Sequence, residues 1–409
     1  MIVNLRVNNY KGIEKEANIS FIASNKIKRS LNKCSYIDKK NKLLKKVGII
    51  GCNGSGKTSL LSAIETIQTY LSFPYRKKMN TDEEFKKLLD SMNEKELKQY
   101  LLELNTLNLG EQNINNNLKA TEIEIEIFIS ERKNNIPGFY KYKIVFDNNH
   151  SNIGVLLEEL LYKKRIDSKK YITLSRKHNI IESNISTTIL YENNNFNLEN
   201  TQFINYYKSF VNEMLKYTNC FFEGGTIDLQ NFIENNKREF IKLCNIADDK
   251  ITNVTIDENS QERKILFWNK NKKGLYFSQL SEGTRKIIIL GSILINALNN
   301  NSVSIIDEIE LSLHHSLVNF LINLISSKDE FNYSQILFTT HSPLLAFSLA
   351  NDELYFIHNH NDDYFFSNIS NAIKTKLITK DQNIQKAWID NILIKNPDDD
   401  KMNDFFKEN

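Results

Sequence analysis

Four short strings carry the groups that could do chemistry. Gly51-Cys52-Asn53-Gly54-Ser55-Gly56-Lys57-Thr58 fits G-x-x-x-x-G-K-[ST] without a mismatch. Glycines in such a loop let backbone N–H groups curl around a phosphate, and the helix that follows adds its N-terminal dipole. In that pattern Lys57 bridges the β- and γ-phosphates of ATP and the Thr58 hydroxyl binds Mg²⁺. Gly51, Asn53, Gly54, Ser55, Gly56 and Ser59 are read as the rest of the nucleotide-binding set. Ile305-Ile306-Asp307-Glu308 ends a buried strand. Asp307 would hold the Mg²⁺ through its water shell, and Glu308 would activate the attacking water as a general base. His341, in Thr339-Thr340-His341-Ser342-Pro343, also follows an apolar strand. Ligands of α/β sheets bind beyond the carboxyl ends of strands, which would let His341 sense the γ-phosphate beside Glu308. Lys57, Glu308 and His341 are therefore the candidate catalytic groups.

Leu280-Ser281-Glu282-Gly283-Thr284 opens a helix and has two compatible readings. Ser281 can be a simple N-cap with Glu282 in the first turn. Ser281 and the Gly283 N–H can also grip the γ-phosphate of ATP bound by a second copy of the chain. The second reading predicts a homodimer, extensible to a larger oligomer. Glu310-Leu311-Ser312-Leu313-His314 would then lie at the dimer interface. His315, His358 and His360 form no metal set, and His358-Asn359-His360 reads as a polar turn rather than a zinc site.

Elements must bring these strings together. Segments up to Ile22 alternate as strands, Lys45–Ile50 is a short buried strand, and a helix is expected from Lys57 to about Tyr70. A helical stripe over 81–107 precedes strands at Thr121–Ile129, Tyr140–Phe146, Leu156–Tyr162 and Tyr171–Leu174. Alternation in Glu122-Ile123-Glu124-Ile125-Glu126-Ile127 marks a half-exposed antiparallel strand. Helices are expected at Phe203–Tyr217 and Leu229–Ala247, and strands at Ile251–Ile256, Lys264–Trp268 and Leu275–Ser278. The remainder alternates: helix Glu282–Leu298, strand Val303–Ile306, helix His315–Ile325, strand Gln335–Thr339, helix Pro343–Leu349, strand Glu353–Ile357. Such alternation marks a mostly parallel sheet. Roughly 220 residues between the glycine loop and Ser281 make a long insertion.

The 409 residues suffice for about two or three domains with a large core. Hydrophobic residues make up 41% and charged residues 25%, the balance of a soluble globular protein. A net charge of +3 announces no global field for nucleic acid or membrane. No apolar run approaches the ~20 residues of a membrane span, and the opening strand is no signal peptide. The 4 cysteines show neither metal spacing nor disulfide density, so a cytoplasmic location is expected. Cys52, within the glycine loop, reads as a small filler residue. The stretch from Lys26 to Lys46 is crowded with Lys26, Lys28, Arg29, Lys33, Lys39, Lys40, Lys42, Lys45 and Lys46. It is either a solvated loop or a contact for nucleotide phosphate or a nucleic-acid backbone.

These motifs resemble the ATP-binding-cassette (ABC) ATPases of the SMC/RecF/OLD type, for which the Asn53 position is typical. The closer resemblance is to abortive-infection (AbiL/RloA-like) bacterial AAA family ATPases. It rests on Asn9-Tyr10-Lys11-Gly12-Ile13, Ser20-Phe21-Ile22-Ala23-Ser24, Ile50-Gly51-Cys52-Asn53, Ser281 to Lys286, Ile306 to His314 and Asp381 to Ala387. Gly54 stands where the family usually has Ala, and no Q-loop glutamine can be placed. The resemblance implies an α/β fold: an ABC-type P-loop core with a mixed, mostly parallel sheet, an N-terminal antiparallel β subdomain and a helical insertion. It divides the chain into 1–75 (N-terminal lobe with the glycine loop), 76–262 (α+β insertion) and 263–409 (C-terminal lobe). It implies an ATPase in phage defence that controls a separately encoded effector nuclease or toxin. The alternative is a RecF/SMC-like DNA-binding ATPase of repair or recombination. About 65 residues follow Pro343, too few after completing the core for an appended Toprim nuclease domain of roughly 50–200 residues.

Overall fold

A computed structural model describes residues 1–79 except 14, 28–32, 39 and 52–53; 120–146 except 132–134; 155–180; 200–220; 228–257; and 264–374 except 272, 330, 347 and 361–362. The helix expected over 81–107, the segment Asp381 to Ala387 and the acidic stretch Asp398-Asp399-Asp400 lie outside the described residues. So do Cys52 and Asn53.

The strands β1 (Ile2–Asn8), β2 (Ala17–Ser20), β6 (Thr121–Ile129), β7 (Gly138–Phe146), β8 (Val155–Lys163) and β9 (Ile172–Ile180) form one sheet, in the order β2-β1-β6-β7-β8-β9. All its pairings are antiparallel. The alternation read in β6 is realised: Ile123, Ile125 and Ile127 are fully buried. On the opposite face Glu122 pairs with Lys143 at 2.9 Å, Glu124 with Lys141 at 2.8 Å and Glu126 with Lys163 at 3.1 Å.

A second six-stranded sheet joins β5 (Lys46–Ile50), β10 (Thr218–Cys220), β14 (Val303–Ile306), β15 (Gln335–Thr340), β16 (Leu354–His360) and β17 (Asp363–Asn368), in the order β10-β14-β15-β5-β16-β17. Its pairings are parallel except the last. Both faces are covered, which is why these strands are nearly continuous apolar runs. Val47, Ile49, Val303, Ile305 and Leu337 join the core shared with the antiparallel sheet, α1 (Lys57–Met79) and α2 (Asn200–Met214). Ile306, Ile336 and Phe338 turn the other way, toward α4 (Glu282–Asn300) and α5 (His315–Leu324). A third core forms where α3 (Leu229–Ala247) and α4 meet the small antiparallel sheet of β11 (Ile251–Asp257), β12 (Lys264–Asn269) and β13 (Gly274–Tyr276). Among the described residues no helix is long and apolar enough to cross a membrane.

Several sequence expectations are corrected. The helix expected to reach Tyr217 ends at Met214, and Thr218–Cys220, which the sequence left unassigned, is an edge strand of the parallel sheet. Its three residues are too short for any alternation to register. His358–His360 continues β16 and pairs with β17, so it is no turn. Leu275–Ser278 splits into β13 and a 3₁₀ turn, Phe277–Gln279. The helix after Pro343, α6 (Pro343–Ala346), is shorter than expected. In the basic run, Cys34–Tyr36 (β3) and Lys42–Leu44 (β4) pair as a hairpin. Lys45 and Lys46 are buried rather than solvated or phosphate-facing. The Lys45 Nζ donates to the Lys328 carbonyl at 3.0 Å and the Asp329 carbonyl at 2.5 Å, and the Lys46 Nζ to Asn323 Oδ1 at 3.2 Å. The carbonyls beyond α5 need donors, which the Lys45 ammonium supplies, while the Lys46 ammonium is held by an amide side chain of α5.

One buried side chain ties the two large sheets together. Gln335, at the start of β15, accepts from the Ile2 N–H at 2.6 Å and donates to the carbonyls of Ile2 at 3.0 Å and Leu44 at 2.9 Å. Gln335→Leu keeps the volume but leaves three buried backbone groups without their partner. The expected loss is about 2–4 kcal/mol of stability, read as a lower urea midpoint with an unchanged slope. A midpoint within error of wild type would remove this role.

Candidate functional site

The phosphate loop is shaped by local backbone. Gly54 and Gly56 have φ of 74° and 91°, the left-handed region that side chains disfavour. Gly51 has no room for a side chain: a Cβ there would stand 2.6 Å from the Ser55 Oγ. Helix α1 begins at Lys57 with no acid in its first turn, so its N-terminal dipole is left for an external anion. The Lys57 ammonium is buried and donates to the Gly51 carbonyl at 2.8 Å. The Ser55 hydroxyl is buried with no hydrogen-bond partner among the described residues. The Ser59 carbonyl accepts from the Ser62 hydroxyl at 3.0 Å, one turn into α1.

Strand order β14-β15-β5 places the loops after these three parallel strands side by side. That is how residues about 250 positions from the glycine loop reach it. The Thr58 hydroxyl donates to Asp307 Oδ2 at 2.7 Å. Asp307 Oδ1 accepts from the Thr339 hydroxyl at 2.5 Å, and the same oxygen of Thr339 accepts from the Glu308 N–H at 2.8 Å. Glu308 itself has φ of 46°, a left-handed conformation rare for a residue with a Cβ. Its carboxylate points out of the sheet, with Oε1 3.5 Å from the His341 Nε2. Behind them the Glu310 carboxylate accepts from the His341 N–H. The described part of the phosphate loop, Asp307, Glu308 and His341 thus converge.

Ser281 and Gly283 lie apart from that cluster in their contacts. Ser281 caps α4, accepting from the Thr284 N–H at 3.1 Å and sharing a hydrogen bond with the Thr284 hydroxyl at 2.7 Å. Its side chain makes no bond to the described residues of the phosphate loop. The Glu282 carboxylate accepts from the Ser312 hydroxyl, and a Cβ on Gly283 would stand 3.0 Å from the Ser312 carbonyl. The turn that opens α4 therefore rests on the turn leaving the Asp307 strand. Lys286, one turn along α4, has its pKa lowered by burial, against the opposing pull of Cys220, Glu310, Glu308 and Glu282. It brings a cation toward the same carboxylates.

Sequence reasoning missed Thr339 and Glu310 as positioning groups, together with the Glu282–Ser312 contact. Thr339 had a visible signal, a hydroxyl at the end of the apolar run Ile336-Leu337-Phe338. The Glu282–Ser312 contact had none, because it crosses 30 residues of chain. Among the described residues no group of three or more His, Cys, Asp or Glu could hold a metal by itself. The oxygen pair of Thr58 and Asp307 instead suits a hard divalent ion that takes its remaining ligands from phosphate and water. The unpartnered Ser55 hydroxyl and the left-handed glycines suit a polyphosphate. The arrangement fits both groups.

A strand, a glycine loop, a helix and a carboxylate on a nearby parallel strand define an ATPase of the P-loop class. The chain belongs to the family described as "AAA domain, putative AbiEii toxin, Type IV TA system", which matches residues 46–347. It is 25% identical over 373 residues to the "Retron Vc95 probable ATPase" of Vibrio cholerae serotype O1 biovar El Tor, covering 79% of this chain and 70% of that protein. Among solved structures, the SmcHead bound to the C-winged helix domain of ScpA superposes with a TM-score of 0.48 at 12% identity, covering 91% of this chain and 99% of that one. The Smc head domain with an extended coiled coil, bound to the C-terminal domain of ScpA derived from Pyrococcus furiosus, gives 0.47 at 10% identity, over 92% and 98% of the two chains.

Proposed function

We propose that the chain binds ATP with Mg²⁺ in the loop Gly51–Ser59, hydrolyses it to ADP and phosphate, and works as an ATP-sandwiched homodimer. The observation that carries this reading is the meeting of Thr58, Asp307, Glu308 and His341 at the ends of neighbouring parallel strands. Lys57 would leave the Gly51 carbonyl for the β- and γ-phosphates. The Thr58 hydroxyl and the Asp307 carboxylate would hold the Mg²⁺, which when bound neutralises charge on the phosphate oxygens. Glu308 would take the proton of the attacking water, and His341 would hold that water against the γ-phosphate. Thr339 keeps Asp307 and the Glu308 backbone in register for both tasks.

Ser281 and Gly283 would serve the ATP of the partner copy. The contact between Glu282 and Ser312 supports this, because it holds the start of α4 beside the turn leaving the catalytic strand. We divide the chain into lobes 1–75 and 263–409 and an insertion, 76–262, that carries specificity. ATP closing the sandwich and hydrolysis opening it make a two-state switch. The family match and the retron-associated relative support a role in anti-phage defence. That role would be exerted in the cytoplasm, through a separately encoded effector.

The trans arrangement has a direct test. Ser281→Arg and Lys57→Ala should each abolish steady-state hydrolysis, the first while still binding ATP. Mixed in equal amounts they should regain roughly a quarter of wild-type turnover, since half of the C2 dimers would carry one intact composite site. No recovery on mixing, or full activity of Ser281→Arg alone, would remove the trans role.

A further inference from the structure

The small sheet β11–β13 spends only one face on its core. Val254, Ile256, Ile265, Phe267 and Leu275 turn toward α3 and α4. Strand alternation and the observed register send Thr255, Leu266, Trp268 and Tyr276 to the opposite face. Tyr276 is 42% exposed there.

Trp268 lies along this face rather than standing on it. Its Nε1 donates to the Thr255 hydroxyl on β11 at 2.8 Å. At its other end, Cζ3 and Cη2 stand 3.4 and 3.5 Å from where a Cβ of Gly274, on β13, would be. The indole therefore spans the three strands, with its polar edge satisfied on β11 and its far edge within van der Waals reach of Gly274 on β13. What it offers outward is a π-face. Tyr276 sits diagonally across from it, with the Lys264 ammonium 5.8 Å from the tyrosine ring centroid. The turn next to Trp268, Asn269-Lys270-Asn271-Lys272-Lys273, carries three lysines and no acid, and Lys270 and Lys273 are exposed. At the far end Lys264 and Asp257 face each other in register, so the positive rim belongs to the tryptophan end.

The geometry points to a stacking platform for single-stranded nucleic acid on the outer face of β11–β13. Trp268 and Tyr276 each carry a base, and Lys270 and Lys273 follow the phosphates. An unpaired base presents a π-face of the size of the indole, and any base will do, whereas a duplex keeps its bases inside. A peptide would want pockets for alternate side chains, and a flat ring over a glycine provides none. The platform also adjoins the ATPase machinery. The Tyr276 N–H donates to the Gln279 side chain at 2.9 Å, and Leu280 and Ile288 share a core with the sheet. A strand bound here sits directly before Ser281.

The test uses the full chain without ATP, at about 50 mM salt, with fluorescein-labelled single strands of 20 thymidines or 20 uridines followed by anisotropy. Tyr276→Ala and Trp268→Ala should each weaken binding roughly 5- to 100-fold, and Trp268→Phe should recover most of it. Lys270→Gln with Lys273→Gln should flatten the salt dependence. A paired 20-mer should not compete. Lys57→Ala should bind the single strand as wild type does, which separates this inference from the ATPase reading. No binding of either strand by the wild type would overturn it and leave the face to a protein segment. Equal affinity in wild type, Tyr276→Ala and Trp268→Ala would overturn it as well.

Discussion

Glu308→Gln is expected to lower the turnover of ATP by about 10²–10⁴-fold, the range for losing a general base, while leaving ATP affinity within about threefold, since ground-state contacts are kept. The separation follows from how Glu308 is held. Its backbone N–H is tied to the Thr339 hydroxyl, and that hydroxyl fixes Asp307. The side chain takes no part in that tie, and the left-handed backbone, φ 46°, is the same demand on Gln as on Glu. Substitution therefore removes a proton acceptor without moving the Thr58–Asp307 pair. If ATP joins two copies and hydrolysis parts them, the slowed variant accumulates as a dimer. Light scattering with saturating ATP and Mg²⁺ should give twice the monomer mass. A monomer under those conditions would count against the sandwich, and unchanged turnover against the base.

Lys57→Ala is expected to weaken ATP binding by about 30- to 3,000-fold, the equivalent of roughly 2–5 kcal/mol for removing one partner of a buried, hydrogen-bonded charge pair. Lys57 as a whole is only 5% exposed, so little water screens its attraction to phosphate. In the free protein it is bonded to the Gly51 carbonyl, and the fold loses little when that bond goes, because a buried charge goes with it. The melting temperature should thus stay near that of wild type while the calorimetric signal for ATP disappears. Equal ATP affinity in the two proteins would sink the phosphate-loop assignment.

The parts legible in the sequence are those whose signal is local. The phosphate loop could be read because its glycines and the flanking strand and helix are contiguous. Helix Leu229–Ala247 could be bounded because Asp228 caps it and its apolar stripe is complete. Strand β6 could be placed, and its solvent face inferred, from six residues of alternation. The parts that were not legible depend on groups far apart in the chain. Lys45 and Lys46 look like surface lysines until the carbonyls beyond α5 are brought against the first and the Asn323 side chain against the second. Gln335 looks like an ordinary polar residue at the head of a strand until Ile2 arrives across 333 positions. Trp268 gives no hint in sequence that its indole reaches Thr255 on one neighbouring strand and Gly274 on the other.

The sequence by itself therefore determined the chemistry available to this protein: a phosphate-binding loop, a carboxylate pair and a histidine at strand ends, each set by short-range backbone preference and hydrophobic period. Only the tertiary structure decided how they meet. The order β14-β15-β5 set Asp307 against Thr58, and the resting of α4 on the Ser312 turn tied the Ser281 turn to the strand that ends at Asp307. The physical reason is that dihedral preference acts over a few residues, whereas sheet order is chosen by burying all the apolar faces at once.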